Sequence, residues 1–180
     1  KRWVARSLNL VDAFTVRDEA SKQLLGGWGD SSRVEVTADP AFGLSVPAAE
    51  VTDEFMRKQG IAFPDNALLV GMSFAYEPRF VKKLGAQIEF LTELAQRLVA
   101  ENNACIVLIP MNTDPMLDRQ GLAQVAKGLP DERVLILQGD YHPSQVVGLI
   151  GRLGLVVSSR MHLLIFSVIA NTPFAAISRG

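Results

Sequence analysis

The chain has 180 residues, 48% hydrophobic and 21% charged, with 18 Lys plus Arg against 19 Asp plus Glu for a net charge of -1. That length suits one domain, or one with part of a second, and buries about 70% of the unfolded chain's surface without staples. The composition excludes disorder, collagen-like repeats and coiled coil; the charge balance predicts no general attraction to nucleic acid or anionic lipid; and a single cysteine, Cys105, excludes an internal disulfide and a cysteine-based zinc site.

The first 65 residues do not make a complete folding unit. Lys1-Arg2 resembles the basic start of an export signal, but Asp12 and Arg17 interrupt the residues after it and no apolar run forms. Val4 to Leu10 suits a helix, Ala13 to Val16 a strand, Asp18 to Leu25 a helix and Val34 to Thr37 a strand. Residues 1–65 therefore read as the end of a first α/β domain plus a linker. Within it, Gly43 to Asp65 (holding Pro47 and Pro64, with Pro40 just before) links two domains or crosses between them. A start on Lys and an abrupt stop at Ser178-Arg179-Gly180 read as a piece of a longer protein.

From Ala67 onward strand and helix patterns alternate. Ala67 to Met72 is a short apolar run, and Pro78 suits the first turn of a helix because its missing N–H would have no partner there. Val81, Leu84, Ile88, Leu91, Ala95 and Leu98 recur at spacings of three and four, which predicts an amphipathic helix ending near Asn102. Cys105 to Ile109 reads as a buried strand, which makes Cys105 a reduced core thiol. A weaker helix follows over Leu117 to Lys127, stopped by Gly128 and Pro130. Val134 to Leu137 is a strand, Pro143 to Leu153 a helix closed by Gly154, and Leu155 to Ser158 a strand. Met161 to Ala170 is a nearly all-apolar helix ended by Asn171 and Pro173, and Phe174 to Ile177 a last strand. The longest apolar run, near Leu163 to Ala170, falls short of the ~20 residues that span a bilayer.

Strands that are apolar throughout belong to a parallel sheet covered by helices on both faces. Residues 66–180 are thus predicted to form an α/β, Rossmann-like, doubly wound domain, cut short at its end. In such sheets ligands bind beyond the carboxyl ends of the strands. The chemistry-bearing turn is then Ser158-Ser159-Arg160-Met161-His162, where a buried strand enters a buried helix. Helix N–H groups, the Arg160 guanidinium and the His162 imidazole together suit a carboxylate or phosphate, and an imidazole can also pass a proton. The plainer alternative pairs Arg160 with an acid and leaves His162 to cap the helix.

Arg17, in Thr15-Val16-Arg17-Asp18-Glu19-Ala20-Ser21, leaves a strand just before a helix; it is either a ligand contact or one half of a surface pair. Asp39, in Thr37-Ala38-Asp39-Pro40-Ala41-Phe42, is either catalytic or the start of an Asp-Pro turn. His142 either caps a helix or faces the cleft, and Gly26-Gly27-Trp28-Gly29-Asp30 is a turn. Gly71-Met72-Ser73 lacks the full dinucleotide fingerprint, and the chain has no phosphate-binding P-loop and no nucleophile elbow. Two histidines without a close acidic pair make no recognisable metal site.

The Thr15–Ser21, Val36–Phe42 and Ser158–His162 motifs, in that order and at strand ends, with Pro173 downstream, resemble the polysaccharide pyruvyl transferase family over most of the chain. The resemblance implies two Rossmann-like domains with a cleft between them, similar to the GT-B glycosyltransferases, this chain being the end of the first and most of the second. It implies transfer of the pyruvyl group of phosphoenolpyruvate onto two hydroxyls of a cell-surface polysaccharide or its precursor, forming a ketal and releasing phosphate. By that likeness Arg160-Met161-His162 contacts phosphoenolpyruvate, Arg17 assists, and Ser159 and Ser73 line the same pocket. Ser73-Phe74-Ala75 stands where many members carry an arginine. His162 is then the acid–base group and Asp39 the acceptor of a hydroxyl proton. Phosphoenolpyruvate is the donor substrate, with no cofactor and no metal, and the expected location is the cytoplasm. Two other readings stay open: a GT-B glycosyltransferase using a nucleotide sugar, and a Rossmann-like module that binds without catalysis.

Overall fold

The computed structural model describes residues 3, 6–7, 10–27, 32–75, 81–112 and 115–178, and of 81–83 and 115–116 the backbone alone. Most of the expected helix at 4–10, the glycine-rich turn beyond Gly27 and the helix start at Pro78 lie outside the described residues. The chain divides into two compact units, Lys1–Gly43 and Leu44–Gly180.

The first unit pairs two short parallel strands, β1 (Phe14–Val16) and β2 (Val34–Val36), in the register Phe14 to Val34. Helix α1 (Glu19–Gly26) lies between them in sequence. Asp18 is its N-cap, accepting a hydrogen bond from the Ser21 amide at 2.7 Å, which holds the Asp18 carboxyl below its ordinary range. A 3-10 turn, Pro40–Gly43, closes the unit.

The second unit opens with α2 (Ala49–Lys58), inside the stretch read as a linker. Then come β3 (Leu68–Ser73), α3 (Val81–Asn102), β4 (Ala104–Leu108), α4 (Pro115–Ala126), β5 (Val134–Ile136), α5 (Pro143–Ile150), β6 (Leu155–Ser158), α6 (Met161–Ile169) and β7 (Phe174–Ala176). The five strands form one parallel sheet in the order β5-β4-β3-β6-β7. This is the doubly wound arrangement that continuous apolar strands demand, because both faces must be covered.

Alternate strand residues take opposite faces. Val70, Met72, Ala104, Ile106 and Leu108 join Leu84, Leu91 and Ala95 of α3 and Leu122 and Val125 of α4 in one buried cluster. Each fully buried Leu or Ile of that kind contributes about 1.5–3 kcal/mol. Val146, Val147, Leu149 and Ile150 of α5 and Leu163 and Phe166 of α6 are buried as well, and Cys105 is a free, fully buried thiol. Two helix exits need a left-handed residue and use asparagine: Asn103 after α3 has φ 51° and Asn171 after α6 has φ 54°.

Helix α2 seats on α5 through a close approach at Gly148. A Cβ there would stand 2.4 Å from Thr52 Oγ1 and 2.7 Å from Pro47 Cγ. Gly148→Ala is therefore expected to cost about 1–3 kcal/mol, as overpacking does. A shift in the urea midpoint followed by far-ultraviolet circular dichroism reads it out, and an unmoved midpoint would mean that α2 does not rest there.

Candidate functional site

The strand order fixes where a ligand belongs. From β3 the chain proceeds outward to β4 and β5, then returns to lay β6 on the other side of β3. The order reverses between β3 and β6, and at such a switch point the loops beyond the carboxyl ends part and leave a crevice. The last residues of these two strands, Ser73 and Ser158, are register partners. The turn into α6 thus opens at the switch point itself.

An opening of about 250 Å³ lies there, lined by Met111, Ser159, Arg160, Met161 and His162. Met111 comes from the loop after β4, Ser159 and Arg160 from the turn between β6 and α6, and Met161 and His162 from the first turn of α6. Ser158 shapes this turn: its hydroxyl oxygen accepts from the Arg160 amide at 2.9 Å. Ser159 ties it to the β3 loop, its hydroxyl accepting from the Ala75 amide at 3.2 Å and from Gln87 Nε2 at 3.5 Å. Arg160 is the N-cap residue of α6 without a side-chain cap bond, and His162 is exposed in the first turn. Ser73 is fully buried, and its hydroxyl has no hydrogen-bond partner among the described residues.

Arg160 does pair with an acid, as the plainer alternative for this residue has it. Its Nη2 donates to Oδ1 of Asp118, a residue of α4 with no exposed surface. The second carboxylate oxygen, Oδ2, accepts from the Met111 amide at 3.0 Å. The Arg160 side chain keeps 20% exposure, and its Nε is buried without a partner among the described residues. A guanidinium carries five N–H donors, so the pairing leaves capacity for a ligand. Asp118 escaped the sequence reading, although a signal exists: it falls on the stripe Asp118-Leu122-Val125 whose apolar members are buried, and an acid on such a stripe needs a buried partner.

The loop after β5 braces the same end of the sheet. The Tyr141 hydroxyl donates to the Pro110 carbonyl, and burial pushes its pKa up to about 12. Arg119 Nη2 donates to the Gly139 carbonyl at 2.9 Å. His142 caps α5: the Ser144 amide donates to its Nδ1 at 3.3 Å, and its own amide donates to Gln145 Oε1 at 2.8 Å.

The other two expected site residues meet each other in the first unit. Arg17 Nη1 donates to Asp39 Oδ2 at 3.3 Å, and Asp39 Oδ1 accepts from the Ala41 amide at 3.0 Å, the Asp-Pro turn pattern. Arg17 also approaches Asp18 at 3.6 Å. The structure thus groups Ser159, Arg160, Met161 and His162 at one opening with Ser73 at the adjoining strand end, and groups Arg17 with Asp39. A larger hollow of about 540 Å³ sits at the opposite, amino end of the sheet. Its charged lining is Asp65 and Arg152, the latter bonded to Asp53 at 2.7 Å. A ligand at the switch point belongs in the smaller opening. Among the described residues no helix is long and apolar enough to cross a membrane.

Among solved structures the chain is similar to UDP-GlcNAc 2-epimerase from Neisseria meningitidis bound to UDP-GlcNAc, at 15% identity and TM-score 0.61, covering 95% of this chain and 46% of that one. It is similar to UDP-N-acetylglucosamine 2-epimerase from Rickettsia bellii at 14% identity and TM-score 0.57, covering 95% and 43%. The E. coli ADP-heptose lps heptosyltransferase II is similar at 16% identity and TM-score 0.53, covering 72% and 38%. At these identities the likeness is one of fold, and the chain spans less than half the length of each. No curated protein matches in sequence. The family description that matches is polysaccharide pyruvyl transferase, over residues 2–180, and the chain belongs to that family.

Proposed function

We propose that the protein transfers the pyruvyl group of phosphoenolpyruvate onto two hydroxyls of a sugar in a cell-surface polysaccharide or its precursor, in the cytoplasm. The observation that carries this reading is the family match over residues 2–180. The opening at the switch point supports it, because a donor with a carboxylate and a phosphate suits a guanidinium and the N–H groups at the start of α6.

In this reading His162 delivers a proton to the methylene carbon of phosphoenolpyruvate, turning it into a methyl group. The neighbouring carbon becomes oxocarbenium-like and is attacked by the first sugar hydroxyl, whose proton passes to the phosphate group. The C–O bond to phosphate then breaks with its electron pair on phosphate, and the second hydroxyl closes the ketal. Its proton restores the acid, so that one ketal and one hydrogen phosphate leave for each donor consumed. Arg160, with Nη2 held by Asp118, offers its other N–H groups to the donor's anionic oxygens. Ser159 and Met161 line the donor's surroundings, with Ser73 buried at the adjoining strand end. No metal or cofactor takes part, the guanidinium charge balancing the phosphate.

Isothermal calorimetry on the full-length protein tests the donor. Phosphoenolpyruvate is expected to bind and uridine diphosphate not to, and phosphate release is expected on adding the right sugar precursor. Uridine diphosphate binding alone would replace this reading with nucleotide-sugar transfer, and binding of neither would leave a non-catalytic module.

A further inference from the structure

We infer that Asp118 is the positioning residue of the opening, setting the guanidinium of Arg160 and the Met111 wall in one geometry from beneath. The inference rests on the proposed reading for what the opening holds, but its geometry stands separately. Asp118 has no exposed surface, so it does not touch a ligand. Its two carboxylate oxygens each serve a different wall. Oδ1 takes Nη2 of Arg160, 42 residues away on the turn into α6, and Oδ2 takes the Met111 amide of the loop after β4 at 3.0 Å. Both Met111 and Arg160 line the opening.

A carboxylate accepts at both oxygens, whereas its amide counterpart accepts at one and donates at the other. Asparagine at this place can satisfy either the arginine or the Met111 amide, and turns a donor toward the one it abandons. An arginine without its anchor regains rotamer freedom and must be ordered again by the ligand, a cost that shows as lost affinity. Because the carboxylate acts only through its neighbours, its removal matters as long as Arg160 is there to be positioned.

The test is a double-mutant cycle in the full-length protein with Asp118→Asn, Arg160→Gln and the pair, reading KM for phosphoenolpyruvate, kcat for phosphate release and calorimetric affinity. Asp118→Asn is expected to raise KM about tenfold with kcat nearly unchanged, and to add little in the Arg160→Gln background. Equal losses in both backgrounds, or a fall in kcat at constant KM, would overturn the inference. Phenylglyoxal modification of Arg160, mapped by mass spectrometry, reads the same geometry without any substrate. It is expected to run faster in Asp118→Asn, and an unchanged rate overturns the inference. If the wild type binds no phosphoenolpyruvate, the transferase reading falls, while the modification rate still decides on Asp118. Should Asp118→Asn not fold, Asp118→Glu keeps the charge but shifts the carboxylate. It too is expected to raise KM and expose Arg160 to the reagent, and the absence of both effects overturns the inference.

Discussion

Replacing His162 by alanine is expected to lower kcat for phosphate release from phosphoenolpyruvate on the order of a hundredfold, with KM for the donor little changed. The split comes from where the side chain stands. His162 is exposed in the first turn of α6, at the opening and clear of the buried layer formed by Leu163 and Phe166. Its loss therefore removes a proton donor without opening a cavity, and stability should stay within about 0.5 kcal/mol of wild type. Donor binding in the proposed reaction rests on Arg160 and the helix amides, which alanine at 162 leaves in place. A positioned acid contributes about 10²–10⁴ in rate, and a solvent-reachable opening argues for the lower end because water can supply part of the proton transfer. Purified full-length His162→Ala assayed for phosphate release at saturating donor decides the matter. An unchanged rate rejects the acid–base role, and a fall confined to KM reassigns His162 to binding.

Much of the fold was legible in the sequence because the signals were local. The run Leu155 to Ser158 is a strand with the same ends in the structure, and Pro143 with His142 before it marks the start of α5. The three- and four-residue spacing from Val81 to Leu98 lies within α3, which ends at Asn102 as expected. Asp18, where α1 is expected to begin, is its N-cap. What escaped depended on chain segments meeting at a distance. Helix α2 lies in a stretch with prolines near both ends, and its seat on α5 rests on Gly148, nearly a hundred residues away. The site shows the same division. The turn Ser158 to His162 stood out by composition, since an arginine and a histidine interrupt an otherwise apolar sequence. Its anchor did not, because Asp118 sits in a helix of weak amphipathic pattern and is joined to Arg160 only by the packing of α4 on β5 and α3 and by the pairing of β6 with β3.

Replacing Arg160 by alanine is expected to destabilise the second unit by about 3 kcal/mol, more than the loss of a surface ion pair explains. An exposed pair contributes about 0–1 kcal/mol, since water and salt replace either partner. Asp118 has no such recourse. It has no exposed surface, and without the guanidinium one of its oxygens keeps the Met111 amide while the other is left inside the protein with its charge unanswered. Breaking a buried pair from one side costs about 3–5 kcal/mol, and the 20% exposure of the Arg160 side chain places this pair at the lower end, because water can enter where the arginine stood. The cost belongs to the stranded carboxylate rather than to the bridge. Arg160→Met combined with Asp118→Asn, which removes both charges at nearly constant volume and leaves an amide oxygen for the Met111 N–H, should therefore recover most of the lost stability while abolishing donor binding. Both tryptophans, Trp3 and Trp28, belong to the first unit, so urea unfolding of the second is followed by far-ultraviolet circular dichroism rather than by fluorescence. A midpoint unmoved by Arg160→Ala, or a double variant no more stable than the single one, would mean that Asp118 is not held by this arginine. The turn into α6 would then owe its shape to the Ser158 and Ser159 hydroxyl bonds alone.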